Sequence, residues 1–319
     1  MRIVVTGGAG FIGGNLCRGL IKAGFEVVAF DDLSTGRRDN LAAAPAAVLV
    51  EGSLLDPVAV REVVEGAQAV VHLGARPSVP KSVADPMRSH AVNVDGTMNV
   101  LEACRALRQA PHLIFASSSS VYGANPVLPK HESLATLPRS PYAASKLAGE
   151  SYVLGYQASY AMPALAFRFF NVFGPLQRPD HAYAAVVPAF VSAALAGRAL
   201  PVPGDGLQTR DFTFVDTVVE VIVRAVRDRV VSSGPVNLAF GSRSSLLDVV
   251  EILGDILGRR LETDHIAPRA GDVRDSQADN SALRALFPEV EPVGLRDGLE
   301  RSVDWMQSLT DLAETPGRP

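Results

Sequence analysis

The chain has 319 residues, of which 47% are hydrophobic, and a formal net charge of −4 at pH 7. This length is sufficient for two packed domains with a large apolar core. The negative charge argues against a nucleic-acid-binding surface. The chain also lacks a stretch of about 18 uninterrupted apolar residues, which a membrane span would need. The N-terminus lacks the apolar run of a signal peptide, and Cys17 and Cys104 lie in apolar helical patterns. We therefore expect a soluble cytoplasmic protein with reduced thiols and neither a nucleic-acid nor a membrane partner.

Short β-branched runs alternate with longer helical patterns through the first half of the chain. The predicted strands are Ile3–Val5, Glu26–Phe30, Ala47–Val50, Ala69–Leu73, His112–Ala116 and Leu165–Phe169. The predicted helices are Phe11–Ala23, Pro57–Glu65, Val92–Arg108 and Tyr142–Tyr160. Because apolar residues fill these strands almost continuously, we predict a doubly wound α/β fold in which helices cover both faces of a parallel sheet.

The second half of the chain, from about residue 171, is richer in proline and glycine. The segment Val236–Ala239 is typical of a strand that returns to the first sheet, whereas Leu246–Leu257 and Asp279–Leu286 indicate helices of a smaller mixed α/β domain. No His, Cys and Asp cluster has the spacing of metal ligands, so we predict no metal site. His72, at the end of a predicted strand, is interpreted as a hydrogen-bonded core residue.

A glycine-rich loop joins the first predicted strand to the first helix. Gly7, Gly10 and Gly13 form a G-x-x-G-x-x-G pattern, which allows a tight turn and lets a pyrophosphate approach the helix N-terminus. Asp31 follows about 20 residues later, where a carboxylate accepts hydrogen bonds from an adenosine ribose and repels a 2′-phosphate. We therefore predict a Rossmann-type NAD-binding domain over residues 1–170, with a returning segment at about 212–240. The remainder of 171–319 is assigned to the smaller domain.

A tyrosine and a lysine follow at helical spacing. Tyr142 and Lys146 lie four residues apart and share one face of a predicted helix, while strand His112–Ala116 runs into the hydroxyls of residues 117–120. A useful tyrosine base needs its pKa lowered by about three units from about 10, which corresponds to roughly 4 kcal/mol. The ammonium of Lys146 and a positive nicotinamide ring are the groups that could supply it.

The segments TGGAGFIG, FDDLSTG, ASSSSVYG and SPYAASK together resemble the extended short-chain dehydrogenase/reductase superfamily, especially its NAD-dependent UDP-sugar 4-epimerases. Matching segments run from residue 1 to about 280. The resemblance implies that Tyr142 takes the proton from the sugar O4 while hydride leaves C4, that Ser118 binds the same oxygen, and that Lys146 orients the nicotinamide ribose. It further implies a 4-keto intermediate, a UDP-sugar site in the smaller domain, and a homodimer.

The resemblance also implies two sets of binding residues. The cofactor set is Gly7, Gly10, Phe11, Ile12, Gly13, Asp31, Asp32, Ser34, Thr35, Gly36, Ser53, Leu54, Leu73, Gly74, Ala75, Asn93, Ser117, Tyr142, Lys146 and Phe170. The substrate set is Val79, Ser118, Ser119, Ser120, Tyr142, Asn171, Arg178, Val186, Val187, Val202, Gln208, Arg210, Arg269, Asp272 and Ser276. Within the second set the planar guanidinium groups of Arg210 and Arg269 suit the diphosphate.

Several positions bear on which sugar is used, either UDP-glucose/UDP-galactose or UDP-N-acetylglucosamine/UDP-N-acetylgalactosamine. Ser276 occupies the position of a gate in the family, where a small side chain leaves room for an acetamido group. UDP-glucuronate stays an alternative because the serine run is shared with glucuronate epimerases and Arg178 adds a charge, although Asn171 replaces their usual threonine. Nucleotide-sugar dehydratases and decarboxylases fit less well, because Ser119 and Ser120 stand where those enzymes carry acids. A non-catalytic NAD-binding protein is the last alternative.

Overall fold

The computed structural model describes residues 1–179, 185–267 and 273–314, with side chains up to residue 309. The strands are β1 (Arg2–Thr6), β2 (Glu26–Asp31), β3 (Val48–Glu51), β4 (Ala69–His72), β5 (His112–Ser118), β6 (Ala164–Phe169), β7 (Asn171–Phe173), β8 (Leu200–Pro203), β9 (Thr209–Arg210), β10 (Phe212–Phe214), β11 (Val236–Leu238), β12 (Ser244–Ser245) and β13 (Thr263–Ile266). The helices are α1 (Phe11–Lys22), α2 (Pro57–Val64), α3 (Val79–Ala84), α4 (Pro86–His90), α5 (Gly96–Arg105), α6 (Pro141–Tyr160), α7 (Val186–Leu195), α8 (Val215–Arg227), α9 (Leu246–Ile256), α10 (Ser281–Leu286) and α11 (Leu295–Glu314).

Seven strands form one parallel sheet in the order β11-β6-β5-β4-β1-β2-β3. Successive side chains of a strand point to opposite faces, and here both faces are apolar. Helices α1 and α8 contribute to the core on one face, and α2, α5 and α6 to the core on the other. The predicted doubly wound α/β fold is therefore confirmed. The carboxyl ends of the strands meet at one edge of the sheet, where ligands bind in such folds.

The second half of the chain adds three two-stranded sheets and further helices. Strand β7 pairs with β10, β8 with β13, and β9 with β12. As predicted, Val236–Leu238 returns to the main sheet, where it pairs with β6. Ile3 of β1 and Leu253 of α9 belong to the same hydrophobic cluster, so the core is continuous between the two halves. The division into two domains near residue 170 stays a prediction.

The predicted helix Val92–Arg108 differs from the observed one. The chain is already helical from Pro86, the five residues Ala91–Asp95 form a π-helical turn, and the regular α5 ends at Arg105. Such turns occur frequently at functional sites, because they displace one side chain from the regular helical position. Here the amide of Asn93 accepts a hydrogen bond from the backbone N–H of Arg76 (2.7 Å) and donates one to Ser145 Oγ (2.9 Å). These two bonds tie Asn93 of the π-helical turn to the segment before α3 and to α6.

Helix α6 carries the predicted Tyr142 and Lys146, and its start is set by local sequence. Ser140 is the N-cap, with its hydroxyl accepting a hydrogen bond from the backbone N–H of Ala143 (3.1 Å), and Pro141 occupies the first helical position. Both residue types are favoured at these positions. The cap places Tyr142 in the first turn, beside the carboxyl end of β5.

Candidate active site

The glycine loop after β1 has the geometry that a pyrophosphate requires. Gly7 has a φ of +68°, and a Cβ at Gly13 would lie 2.0 Å from the carbonyl oxygen of Gly7. A Cβ at Gly10 would meet only the Gly7 oxygen, at 3.1 Å, and would otherwise project into open space. Gly10 is the N-cap of α1. Because glycine has no side chain that could cap the helix, the first N–H groups of α1 are open to an anion. The loop therefore fits a dinucleotide.

Asp31 ends β2 beside this loop. Its carboxylate accepts hydrogen bonds from the backbone N–H groups of Ala9 (3.0 Å) and Leu33 (2.9 Å), and the residue is 8% exposed. Burial raises the pKa of Asp31 above its ordinary value, while the two backbone bonds act in the opposite direction. A Cβ at Gly36 would come within 2.6 Å of the carboxylate, so the close turn needs glycine there. The structure thus brings the loop and the acid together, and their role as an adenosine-ribose site stays a prediction.

The other predicted cofactor residues lie at the ends of neighbouring strands. Asp32 Oδ1 accepts hydrogen bonds from the backbone N–H (2.9 Å) and the hydroxyl (2.6 Å) of Ser34, which forms the turn that continues to Thr35 and Gly36. Ser53 and Leu54 follow β3, Leu73, Gly74 and Ala75 follow β4, and Phe170 follows β6. Their binding roles stay predictions.

The three predicted catalytic side chains converge at the carboxyl end of β5. The side chain of Tyr142 lies beside that of Ser118, and Ser118 Oγ accepts a hydrogen bond from the hydroxyl of Ser120 (2.9 Å). Lys146 Nζ, one helical turn beyond Tyr142, donates to the carbonyl oxygen of Ala116 (2.9 Å). The arrangement joins a phenol, a hydroxyl and an ammonium within one small region.

Burial shifts the pKa values of both Tyr142 and Lys146 in this region. Burial raises the pKa of Tyr142, and the hydrogen bond with Ser118 opposes the rise. Burial also lowers the pKa of Lys146 to about 8. The protein groups alone therefore do not produce the lowered tyrosine pKa that catalysis needs. That lowering depends on the positive nicotinamide ring and stays a prediction.

The backbone of Tyr142 is fixed from two sides. Its N–H donates to Ser82 Oγ (3.0 Å), and its carbonyl oxygen accepts from Ser145 Oγ (2.8 Å), which in turn accepts from Asn93. Ser82 is fully buried and was not predicted from the sequence. A serine within a short helical segment carries no sequence signal of such a role, since the contact spans 60 residues.

His72 is confirmed as a hydrogen-bonded core residue. Its ring nitrogens lie 2.6 Å from Thr6 Oγ1 and 3.0 Å from Thr97 Oγ1, and Thr97 donates to the carbonyl oxygen of Asn93. Burial, with a smaller effect of Lys146, lowers the pKa of His72 to about 3. The ring is therefore neutral at physiological pH and links β1 to the π-helical turn.

Part of the predicted substrate site is assembled by the smaller sheets. Arg210 is 7% exposed and donates from Nη1 to the carbonyl oxygens of Thr209 (2.8 Å) and Arg274 (3.1 Å). The N–H of Ser276 donates to the Thr209 oxygen (3.1 Å), which places Ser276 beside the same strand. Gln208 donates to the Pro203 oxygen (2.7 Å), while its buried Oε1 has no hydrogen-bond partner within the described ranges. Arg210, Gln208 and Ser276 are thus brought together.

The remaining predicted substrate residues lie in different surroundings. Val187 and Val202 are packed in the core, at 3% and 0% exposure, so their side chains do not face a cleft. Arg178 lies with its guanidinium 5.9 Å from the ring centre of Trp305 in α11, while Asn171 begins β7 and its N–H donates to the Asp211 oxygen (3.2 Å). Val79 begins α3 and Val186 begins α7. Arg269 and Asp272 lie outside the described residues.

The buried ammonium of Lys146 predicts an unusual stability effect. Its folded-state pKa of about 8 lies below the ordinary value of about 10.4, so burying the charge opposes folding. At pH below 8 this full cost applies, and stability recovers as the pH rises from about 8 to about 10.4. Lys146→Met should therefore be more stable than wild type at about pH 7, by up to about 3 kcal/mol, with the difference shrinking at alkaline pH. Urea unfolding of NAD-free protein measures this.

A matched control for that measurement is Lys22→Met, since Lys22 is an exposed lysine in the last turn of α1. It should change stability by less than about 0.5 kcal/mol at either pH. A Lys146→Met protein less stable than wild type at about pH 7 would show that the ammonium stabilises the fold.

Comparison with known proteins places this site in a family. The model of the NAD dependent epimerase/dehydratase family matches residues 3–239. The chain belongs to this family. The UDP-glucose 4-epimerase of Mycolicibacterium smegmatis is 37% identical, over 97% of this chain and 99% of the relative. The predicted family and its cofactor NAD are confirmed.

Solved structures of the family share the fold over nearly the whole chain. A UDP-glucose 4-epimerase from Thermotoga maritima, solved with UDP-glucose, has a TM-score of 0.91 and 32% identity, with 97% of this chain and 100% of that chain covered. A UDP-N-acetylglucosamine 4-epimerase from Methanobrevibacter ruminantium, in complex with UDP-N-acetylmuramic acid, has a TM-score of 0.90 and 35% identity, with coverages of 97% and 98%. Family members with different sugars are therefore about equally similar to this chain.

The described residues contain neither a membrane-spanning helix nor a cluster of metal ligands. In the described parts of the chain, no helix is both long enough and apolar enough to span a bilayer. Across residues 1–179, 185–267 and 273–309, no three His, Cys, Asp or Glu side chains are grouped so that they could hold a metal ion. The homodimer stays a prediction.

Proposed function

We propose that this family member is an NAD-dependent UDP-sugar 4-epimerase, which inverts the C4 hydroxyl of UDP-glucose/UDP-galactose or of UDP-N-acetylglucosamine/UDP-N-acetylgalactosamine. The observation that carries the proposal is the contact between the Tyr142 hydroxyl and Ser118, with Lys146 one turn further along the same helix. This group lies at the carboxyl edge of the sheet, the edge at which the glycine loop and Asp31 also end. A proton acceptor and a dinucleotide loop on one edge suit oxidation of a sugar alcohol.

The side chains have distinct tasks in the proposed reaction. Bound NAD supplies the acceptor and later the donor of hydride at C4. Tyr142, as the phenolate, removes the proton from O4, and the Ser118 hydroxyl donates a hydrogen bond to that oxygen while it becomes a carbonyl. Lys146 has three N–H donors, one of which reaches Ala116 O, so two are available for the nicotinamide ribose. After the 4-keto sugar has turned over, Tyr142 returns the proton to O4 and the epimer is complete.

Residues 119 and 120, which directly follow Ser118, are serines and not the acidic residues that dehydration would need. Among the structural neighbours are a hexosamine 5,6-dehydratase and a dTDP-glucose 4,6-dehydratase, at 34% and 29% identity. Elimination of water needs an additional acid and base. Here Ser119 and Ser120 follow Ser118, and neither hydroxyl ionises in the working pH range. Epimerisation, which Tyr142 alone can serve as base and acid, therefore fits these residues better.

We propose that the small side chain of Ser276 decides whether the site accepts an N-acetylated sugar. Ser276 is 8% exposed and is held beside Arg210 through Thr209. Replacing it with tyrosine should fill the space proposed for an acetamido group. We expect the kcat/KM of Ser276→Tyr for UDP-N-acetylglucosamine to fall at least about tenfold, while that for UDP-glucose changes less than about threefold. Initial rates with both substrates measure this.

Ser276→Ala is the matched control, because it keeps the small volume and should leave the ratio of the two kcat/KM values near that of wild type. An equal loss of both activities in Ser276→Tyr would mean that Ser276 does not select the sugar at C2.

UDP-glucuronate is the second candidate substrate, and one cavity bears on it. Lys130, Arg139 and Arg274 line a space of about 410 Å³ between residues 123–130 and 273–275. Asp275 also lines this space, and Arg274 is paired with Asp205 (2.9 Å). Arg139 lies one residue before the N-cap of α6, so this basic space is close to the catalytic helix. A UDP-glucuronate 4-epimerase from Bacillus cereus is also a structural neighbour, with 30% identity and a TM-score of 0.88. Asn171 in place of the usual threonine argues against it.

One assay tests the proposed function and separates the candidates. Purified protein with added NAD is incubated with UDP-glucose, UDP-N-acetylglucosamine and UDP-glucuronate together, and the anomeric NMR signals are followed. A C4 epimer of a neutral sugar supports the first candidate, and an epimer of UDP-glucuronate alone supports the second. If all three sugars remain unchanged, the 4-epimerase proposal fails for these substrates.

A further inference from the structure

A buried ion pair lies directly beneath the catalytic residues and has no task in the reaction proposed above. The side chains of Glu150 in α6 and Arg168 in β6 are 3% and 4% exposed. Arg168 donates from Nη2 to Glu150 Oε1 (2.6 Å) and from Nε to Oε2 (3.0 Å), which is a two-pronged contact. Glu150 Oε2 also accepts the hydroxyl of Ser117 (2.6 Å). The carboxylate thus joins β5, β6 and α6.

A series of three contacts joins one face of α6 to the last three residues of β5. Tyr142, Lys146 and Glu150 are spaced four residues apart, so they share one face of α6. They contact three consecutive residues of β5, in that Tyr142 binds Ser118, Lys146 binds the oxygen of Ala116, and Glu150 binds Ser117. Tyr142 and Lys146 must also bind the sugar and the cofactor in the proposed reaction. The contact of Glu150 with Ser117 is the member of the series that can persist throughout the reaction.

Arg168 connects the ion pair with Glu150 to the turn that follows Ser118. Its guanidinium lies 4.7 Å from the ring centre of Tyr122, which ends the 3₁₀ turn Ser119–Tyr122. The Tyr122 hydroxyl donates to Asn237 Oδ1 in β11 (2.7 Å). The backbone on both sides of Ser118 is therefore tied to Glu150 and Arg168, through Ser117 before it and Tyr122 after it.

We propose that Ser117, Glu150 and Arg168 are positioning residues, which hold Ser118 beside Tyr142 while Tyr142 and Lys146 bind the substrate and the cofactor. This inference rests on the proposed function. Buried ion pairs commonly stabilise a fold less than apolar side chains of similar volume do. Their directional bonds, by contrast, fix the relative positions of the groups that they join. A purely structural role would be served as well by apolar residues.

The first test replaces the whole unit with apolar side chains. In Ser117→Ala/Glu150→Met/Arg168→Met no buried charge is left unpaired, so we expect the melting temperature to match wild type. Because Ser117 is also a predicted cofactor residue, the bound NAD is measured in the variant and kcat is determined at saturating NAD. We expect kcat to fall at least about tenfold with little change in KM, since a small displacement of the reacting groups slows the chemical step. Wild-type kcat in the folded triple variant would overturn the proposal.

The second test keeps the ion pair and therefore does not depend on folding of the triple variant. Ser117→Ala removes one hydrogen bond, and its matched control is Ser302→Ala, a serine 4% exposed whose hydroxyl donates to the Gly298 oxygen (2.6 Å). We expect equal melting temperatures for these two variants and a kcat several-fold lower for Ser117→Ala alone. Equal kcat values in the two variants would overturn the proposal.

A spectroscopic measurement separates failure of this inference from failure of the proposed function. The phenolate absorbance of Tyr142 is titrated in NAD-loaded protein, with the Tyr142→Phe spectrum subtracted. Because the hydrogen bond from Ser118 stabilises the phenolate, Ser117→Ala should raise the titration midpoint, whereas Ser302→Ala should leave it unchanged. An unchanged midpoint in Ser117→Ala overturns the positioning role, even if none of the UDP-sugars tested is a substrate.

Discussion

Tyr142→Phe should reduce kcat about a thousandfold and leave bound NAD at the wild-type level. The variant removes the only atom of Tyr142 that can carry the proton, and general acid–base groups commonly contribute factors of about 100 to 10,000. The ring remains, and the backbone bonds to Ser82 and Ser145 do not involve the phenol oxygen. The epimerisation rate and the NAD content of the purified protein are the two measurements.

Tyr156→Phe is the matched control for Tyr142→Phe. Tyr156 lies on the same helix, and its hydroxyl donates to Glu102, on the α5 side of α6. We expect its kcat to stay within about twofold of wild type. A Tyr142→Phe variant that retains more than about a tenth of the wild-type kcat would exclude Tyr142 as the proton acceptor.

Gly13→Ala should weaken NAD binding by up to about two orders of magnitude. The added Cβ would lie 2.0 Å from the Gly7 oxygen and 2.8 Å from the Gly8 Cα, both backbone atoms that move only with the whole loop. Overpacking of this kind costs about 1–3 kcal/mol, so we expect NAD affinity to fall up to about a hundredfold. Calorimetric titration of NAD into cofactor-free protein measures the loss.

Gly155→Ala is the matched control for Gly13→Ala, because the same substitution there should not impair NAD binding. Gly155 lies in α6, and a Cβ there would have no atom within 4 Å. Since alanine favours helix over glycine by about 1 kcal/mol, this variant should be slightly more stable and bind NAD as wild type does. If Gly13→Ala binds NAD equally well, the loop is not the pyrophosphate site.

The parts of this molecule that could be predicted from sequence are governed by local rules. Apolar runs fixed the strands to within a few residues, because a strand covered on both faces needs them continuously. The glycine spacing of Gly7 and Gly13 located the cofactor loop, since backbone turns of this kind exclude a Cβ. Tyr142 and Lys146 were found because four-residue spacing places two side chains on one helical face.

The contacts that complete the site could not be predicted, because they join distant segments. Ser82 reaches Tyr142 across 60 residues, and Arg168 reaches Glu150 from the next strand of the sheet. The π-helical turn around Asn93 is equally invisible in the sequence, since its local pattern is that of an ordinary amphipathic helix. In each case tertiary hydrogen bonds decide the structure, and no short sequence pattern records them.

The substrate side was harder to predict than the cofactor side for a related reason. Arg210 and Ser276 come together through two short strand-like segments, Thr209–Arg210 and residues 274–276, that pair across 65 residues or more. Val202, assigned to the sugar by resemblance, has its side chain wholly in the core. A motif gives the position of a residue in the chain but not the face to which its side chain turns.

The return of β11 to the main sheet limits how this protein can be divided. The strand comes from the second half of the chain, yet it covers the fully buried β6 and supplies Asn237 to Tyr122. A fragment ending near residue 170 would expose the hydrogen-bonding groups of an apolar strand, which is a template for aggregation. Exchanging sugar specificity between relatives by swapping C-terminal halves would therefore also exchange a strand of the cofactor-binding sheet, so engineering is better directed at single loops.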